Sequence, residues 1–143
     1  MRRVVILLLA TVILAGCGTV SESQLTRDWM RQSAFSDGHA TLVGDVSTAL
    51  HTLRDPSTSA PALHTICGVL LIDVESAHAS LPTPDDQSTT LLDAAYSLLG
   101  GGANTCYTAG SSVKSRARAV SYLTDGMAQL SFAVIRLGVA SAG

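Results

Sequence analysis

Residues 120–137, VSYLTDGMAQLSFAVIRL, place Val120, Leu123, Met127, Leu130, Val134 and Leu137 at alternating spacings of three and four. An α-helix turns once every 3.6 residues, so these six side chains form one apolar stripe along a single helix face. A half-buried strand would alternate in twos, and no such alternation or hairpin turn competes here.

The same periodicity recurs upstream. Leu63, Ile66, Leu70, Val74, Ala77 and Leu81 make a second stripe, bounded by the breaker-rich stretches DPSTSAP (55–61) and LPTPDD (81–86). In the latter, Thr83 is expected as N-cap and Pro84 as the first helical residue, with Asp85 and Asp86 complementing the positive helix end. The helix so started presents Leu91, Leu92, Ala95, Leu98 and Leu99, then meets Gly100-Gly101-Gly102. The backbone freedom of three glycines predicts its end there, with Cys106 and Tyr107 in a loop leading to Ser111-Ser112.

Nearer the N-terminus, a helical stretch begins close to Ser23 with Leu25, Trp29 and Met30, and a periodic one carries Leu42, Val43, Val46, Leu50 and Leu53. Ser36-Asp37-Gly38 is placed to break or cap it, so one kinked helix and two separate helices are both compatible with the pattern. Four amphipathic stretches with mostly short connections predict an all-α fold, an antiparallel up-and-down four-helix bundle. At 143 residues the chain is sized for one domain.

The first residues follow other rules. Arg2 and Arg3 precede VVILLLATVILA (4–15), an uncharged run of about a dozen residues, whereas a spanning helix needs about 20. This is the layout of a cleaved signal peptide. The run ends in Leu14-Ala15-Gly16-Cys17, which resembles the lipobox of bacterial lipoprotein precursors. The resemblance covers about the first 20 residues. It implies cleavage before Cys17 and a diacylglyceryl group on its sulfur, with the new amino terminus often acylated. It thus divides the chain into a signal peptide (1–16), an acylated cysteine and tether (17–23) and a helical-bundle domain (24–143). Two or three acyl chains hold a protein on a membrane almost permanently, where one binds only marginally.

Loss of residues 1–16 removes two of nine basic residues, leaving seven against eleven acidic and a net charge near −4. Such a field does not draw the domain to nucleic acid or anionic lipid. Lys114, Arg116 and Arg118 form a small basic cluster without interleaved aromatics, the pattern of a solvated helix face. Eight of the nine basic residues are Arg, and with abundant Ala, Ser, Thr and Gly this points to a high-GC genome such as an actinobacterium's.

Cys67 and Cys106 remain once Cys17 is assigned to the anchor. An even pair in an exported domain argues for a disulfide, closing a loop of about 40 residues and contributing about 4 kcal/mol by chain entropy. Geometry objects: in an ideal hairpin Cys67 lies about 13 residues before the turn and Cys106 about 22 after it, a mismatch near 13 Å. Two buried free thiols are the alternative.

Chemistry-bearing motifs are sparse. Glu75-Ser76-Ala77-His78 has the Glu-x-x-His spacing of di-iron bundles, but His39, His51 and His64 lack a Glu three residues earlier, and Glu22 is the one other Glu. Ser111-Ser112-Val113-Lys114 matches Ser-x-x-Lys, yet the Lys-Thr-Gly element of penicillin-recognising enzymes is missing, and a serine N-cap accounts for it. Gly100 to Gly102 lacks the Gly-Lys-Ser/Thr of a phosphate loop.

The expectation is therefore a non-enzymatic domain with no catalytic, cofactor or metal residues beyond the covalent lipid on Cys17. It would sit on the extracytoplasmic face of the cell membrane and contact an envelope protein or cell-wall component, not nucleic acid. It resembles the small lipoproteins of actinobacteria and their phages, and the phage version implies exclusion of a second phage. A carrier of a small apolar ligand between the helices is the other class.

Overall fold

The computed structural model describes residues 20–143, so the expected signal peptide, the lipobox-like stretch and Cys17 lie outside the described residues. Five helices follow in order: α1 (Glu22–Gln32), α2 (Phe35–Arg54), α3 (Ala60–His78), α4 (Asp86–Ala109) and α5 (Val113–Ala142). The described residues contain no strand. The all-helical bundle stands, but four helices become five, and the first begins at Glu22, two residues ahead of the expected domain start at residue 24.

The additional helix arises at Ala34, whose φ of 48° breaks the chain between α1 and α2. Left-handed backbone is costly for a residue with a Cβ, so the break is imposed by packing on both sides. Trp29 and Phe35 meet across it with ring centroids 5.6 Å apart, and the Trp29 indole N–H donates to the Ser80 carbonyl at 3.0 Å. Ser36, Asp37 and Gly38, expected to mark the break, lie inside the first turn of α2.

Local signals open the other helices. Ser21, Ser59, Asp85 and Ser112 each accept a hydrogen bond from the backbone N–H three residues on, satisfying one donor of an exposed first turn. Thr83 and Pro84 therefore do not take the expected N-cap and first helical positions. Asp85 is the cap, and the Thr83 hydroxyl instead donates to the Asp85 carbonyl at 2.7 Å.

The largest correction concerns Gly100-Gly101-Gly102. The helix runs through all three and ends at Gly110, whose φ is 52°, so Cys106 and Tyr107 are helical. Three glycines cost a helix interior up to about 1 kcal/mol each against alanine, and the contact between α4 and α5 offsets this. A Cβ at Gly102 would stand 2.7 Å from Leu123 Cδ2, and one at Gly126 would stand 2.8 Å from Leu99 Cδ2. Leu123 thus seats over Gly102 while Leu99 seats over Gly126. This reciprocal pair gives α4 and α5 the most extensive interhelical contact in the fold.

Around the core, α2 packs on α3, α3 on α4, α4 on α5, and α5 closes back on α2, which leaves α3 and α5 diagonal to one another. Fully buried Leu42, Leu63, Leu70, Leu92, Leu99, Leu123, Leu130 and Leu137 fill the centre, with Ala49, Ala95, Ala103, Ala119 and Ala133 where helices approach closely. By length and apolarity α3 could cross a membrane, with a mean hydropathy of 1.3 over its best window. Its buried stripe of Leu63, Cys67, Leu70 and Val74 is nevertheless part of this core.

Candidate functional site

The core consumes one face of α5, through Ala119, Leu123, Gly126, Leu130, Ala133 and Leu137. On the opposite face Phe132, Ile135 and Val139 recur at helical spacing and are 62%, 66% and 60% exposed. From Gln129 to Gly143 the one charged residue is Arg136. It is not free: its Nε and Nη2 reach the two carboxylate oxygens of Asp85 at 3.1 and 2.5 Å. From Gln129 onward the outer face of α5 is therefore apolar apart from Ser131 and carries no uncompensated charge, with Ala128, Gly138 and Ala142 beside the strip of three large residues.

The Arg136–Asp85 pair joins the end of α5 to the start of α4. Asp85 is nearly fully buried and also accepts from the Ser88 N–H and hydroxyl, at 2.7 and 2.6 Å. Its carboxyl is held well below the usual range, first by the Arg136 guanidinium and then, against the opposing effect of burial, by Ser88. Arg136 is held charged mainly by Asp85, with Glu22 of α1 adding to the field. Further along, Arg27 of α1 donates to the Ser141 carbonyl at 2.6 Å. Through this bond and its packing on α5, α1 lies against the C-terminal part of that helix.

Cys67 and Cys106 are brought together across α3 and α4, joined as a disulfide with Cα atoms 5.9 Å apart. The expected 13 Å mismatch is absorbed by residues 79–85. This linker carries the chain past the end of α3 before α4 turns back, and seven residues span up to about 23 Å when extended. One antiparallel register results: Cys67 faces Cys106, Gly68 approaches Tyr107, Val74 approaches Gly100, and His78 bonds Asp93 at 2.7 Å.

The weaker motifs separate. Glu75 and His78 are both exposed, and His78 pairs with Asp93; no cluster of three His, Cys, Asp or Glu suited to a metal forms among the described residues. Ser111 lies in the turn before α5, Lys114 is exposed, and Ser112 is the N-cap. Arg116 leaves the basic cluster to brace the far end of the bundle, donating to the carbonyls of Gly110, Asp55 and Thr58 at 3.0, 3.1 and 2.7 Å.

Two features escaped the sequence. One is the Asp85–Arg136 pair, whose legible signal is a lone charge in an apolar helix end, since such a charge needs a partner. The other is a pocket of about 170 Å3 lined by residues including Phe35, His39, Asp73, Ser76 and Tyr96. There His39 Nδ1 is buried without a hydrogen-bond partner, and burial lowers the pKa of the ring. Asp73 is raised by burial and by neighbouring Asp45, and burial pushes the Tyr96 phenol up to about 12. No periodicity could have announced this grouping, because it draws on three helices and the break at Ala34.

Comparison with protein-family models, with curated proteins and with solved structures finds no match to this chain in any of the three.

Proposed function

We propose that this chain is an envelope lipoprotein, anchored through acylated Cys17 on the extracytoplasmic face of the cell membrane, whose helical domain works by non-enzymatic contact with an envelope protein or cell-wall component. In this reading α2 to α5 act as a four-helix bundle and α1 joins it to the anchor. The lipobox Leu14-Ala15-Gly16-Cys17 supports the anchoring. The observation that carries the interaction role is the division of apolar side chains. Leucine and alanine occupy the bundle centre, while large apolar residues, Val69 and Ile72 of α3 among them, stand on outer helix faces. A carrier of an apolar ligand needs the reverse, a concavity lined by apolar groups between the helices. The space between the helices is instead filled, with Leu42, Leu63, Leu92, Leu99, Leu123 and Leu130 fully buried there.

Affinity capture of the full-length protein from detergent-solubilised host membranes, with mass spectrometry of the bait's N-terminus and of co-purifying molecules, tests the reading. An acylated Cys17 with a reproducible envelope partner is the expected result. A stoichiometric bound lipid without protein would replace the interaction module with the carrier, and an unmodified N-terminus would remove the anchor.

A further inference from the structure

We infer that the outer face of α5, carrying Phe132, Ile135 and Val139, lies on the lipid surface into which Cys17 is anchored. The inference rests on the lipoprotein reading above and adds to it a fixed orientation of the domain.

Position is the first argument. Helix α1 packs on α5, with Arg27 bonded to the Ser141 carbonyl near the end of that helix. Val20, where the described chain begins, lies seven residues before Arg27, about 10 Å along a helix, which keeps it near the C-terminal part of α5. Three peptide units separate Val20 from Cys17, a reach of at most about 11 Å. Acyl chains on Cys17 thus enter the bilayer close to this end of the bundle, and so short a tether cannot lift that end clear of the headgroups.

Chemistry is the second. A surface resting in the boundary between headgroups and acyl chains must be apolar and must strand no charge. The strip meets both conditions, because Arg136 spends its guanidinium on Asp85. Val20, just before α1, and Leu25 within it add exposed apolar surface.

Size is the third, and it selects lipid over a second copy of the chain. At their fractional exposures the three α5 residues present roughly 350 Å2, under half of the ~800 Å2 per partner that a stable protein interface uses. A covalently anchored domain needs no such area, since the anchor holds it while the strip merely sets its tilt. The exposed pair Val69 and Ile72 stands on α3, diagonal to α5, and is turned away from the same surface.

The test uses the full mature protein, purified from the host and reconstituted in vesicles of phosphatidylcholine and phosphatidylglycerol. Two variants, Ile135→Cys and Ile72→Cys, replace exposed residues and are labelled with an environment-sensitive fluorophore, then compared in vesicles with and without spin-labelled lipid. Contact with lipid should blue-shift the label at 135 and quench about half of its emission, with under about a tenth lost at 72. Intact mass of each preparation reports the state of Cys17. An acylated protein whose label at 135 stays as wet as that at 72 overturns the orientation and leaves the anchor standing. Shielding at 135 that falls as protein is diluted in the membrane, without quenching by spin-labelled lipid, assigns the strip to a second copy and overturns it too. An unacylated Cys17 overturns the anchored reading, and the orientation with it.

Discussion

Replacing Gly102 by alanine sets helix propensity against packing, and the structure says which wins. Propensity favours the change by about 1 kcal/mol in a helix interior. Against it, the new Cβ would stand 2.7 Å from Leu123 Cδ2, 2.8 Å from its Cγ and 3.1 Å from its backbone N. A flexible side chain could give way to the first two contacts, but Leu123 is fully buried among close-packed neighbours, and the third is relieved only by moving α5 itself. Overpacking of this kind costs about 1–3 kcal/mol, and backbone contact puts Gly102 toward the upper end, for a net loss of about 1–2 kcal/mol. Gly101, one residue earlier, is the control: nothing lies within 4 Å of its Cβ position. Gly101→Ala should therefore stabilise by about 0.5–1 kcal/mol. Thermal and urea unfolding followed by far-UV circular dichroism would read the difference, with the two Tm values moving apart by about 5–10 °C. Gly126→Ala, facing Leu99, should match Gly102→Ala. If alanine at 101 and 102 shifts stability equally and in the same direction, the seating of Leu123 over Gly102 is refuted.

Other expectations follow from the polar groups and the cysteines. Arg136→Met should lower stability, because it leaves the buried Asp85 carboxylate without its guanidinium; a urea midpoint unchanged from wild type would contradict the pairing. Since the Asp85 pKa is depressed in the fold, its contribution is complete above the ordinary carboxylate value near 4 and is lost as pH falls below it. Asp85→Asn should thus flatten the acid limb of a stability–pH curve. His39 acts in a higher window: burial lowers its pKa, so the unfolded chain binds the proton first, and stability should fall as pH drops from about 6.5 toward the folded value. His39→Gln should remove that slope, and its persistence would assign the effect elsewhere. Replacing Cys67 and Cys106 together by alanine should lower stability by about 4 kcal/mol, the chain-entropy value for a 39-residue separation; equal urea midpoints for the two proteins would show the bridge contributes nothing.

Apolar spacing made α3 and α5 legible because burial against any partner demands a stripe at 3.6-residue period, whatever that partner is. The serine cap opening α5, found at Ser112, was legible for a related reason, as a first turn must satisfy its own N–H groups locally. The break between α1 and α2 was not. Ser36-Asp37-Gly38 carries stronger breaker residues than Ala34, yet Trp29 packing on Phe35 and bonding Ser80 places the break at alanine. The route by which Cys106 meets Cys67 was equally hidden, since the span of residues 79–85 depends on where both flanking helices dock.

Local order is thus written along the chain in the apolar stripes of α3 and α5 and in the face of each that turns inward. Contacts between segments are not. Gly100, Gly101 and Gly102 are identical in sequence terms, and a lone Arg136 in an apolar helix end calls for a partner without naming it. Leu123 above Gly102 turns one of the three into a packing site, and Asp85 turns the arginine into a buried tie between α4 and α5. A residue's intrinsic preferences travel with it, whereas its neighbours are supplied by chain tens of positions away.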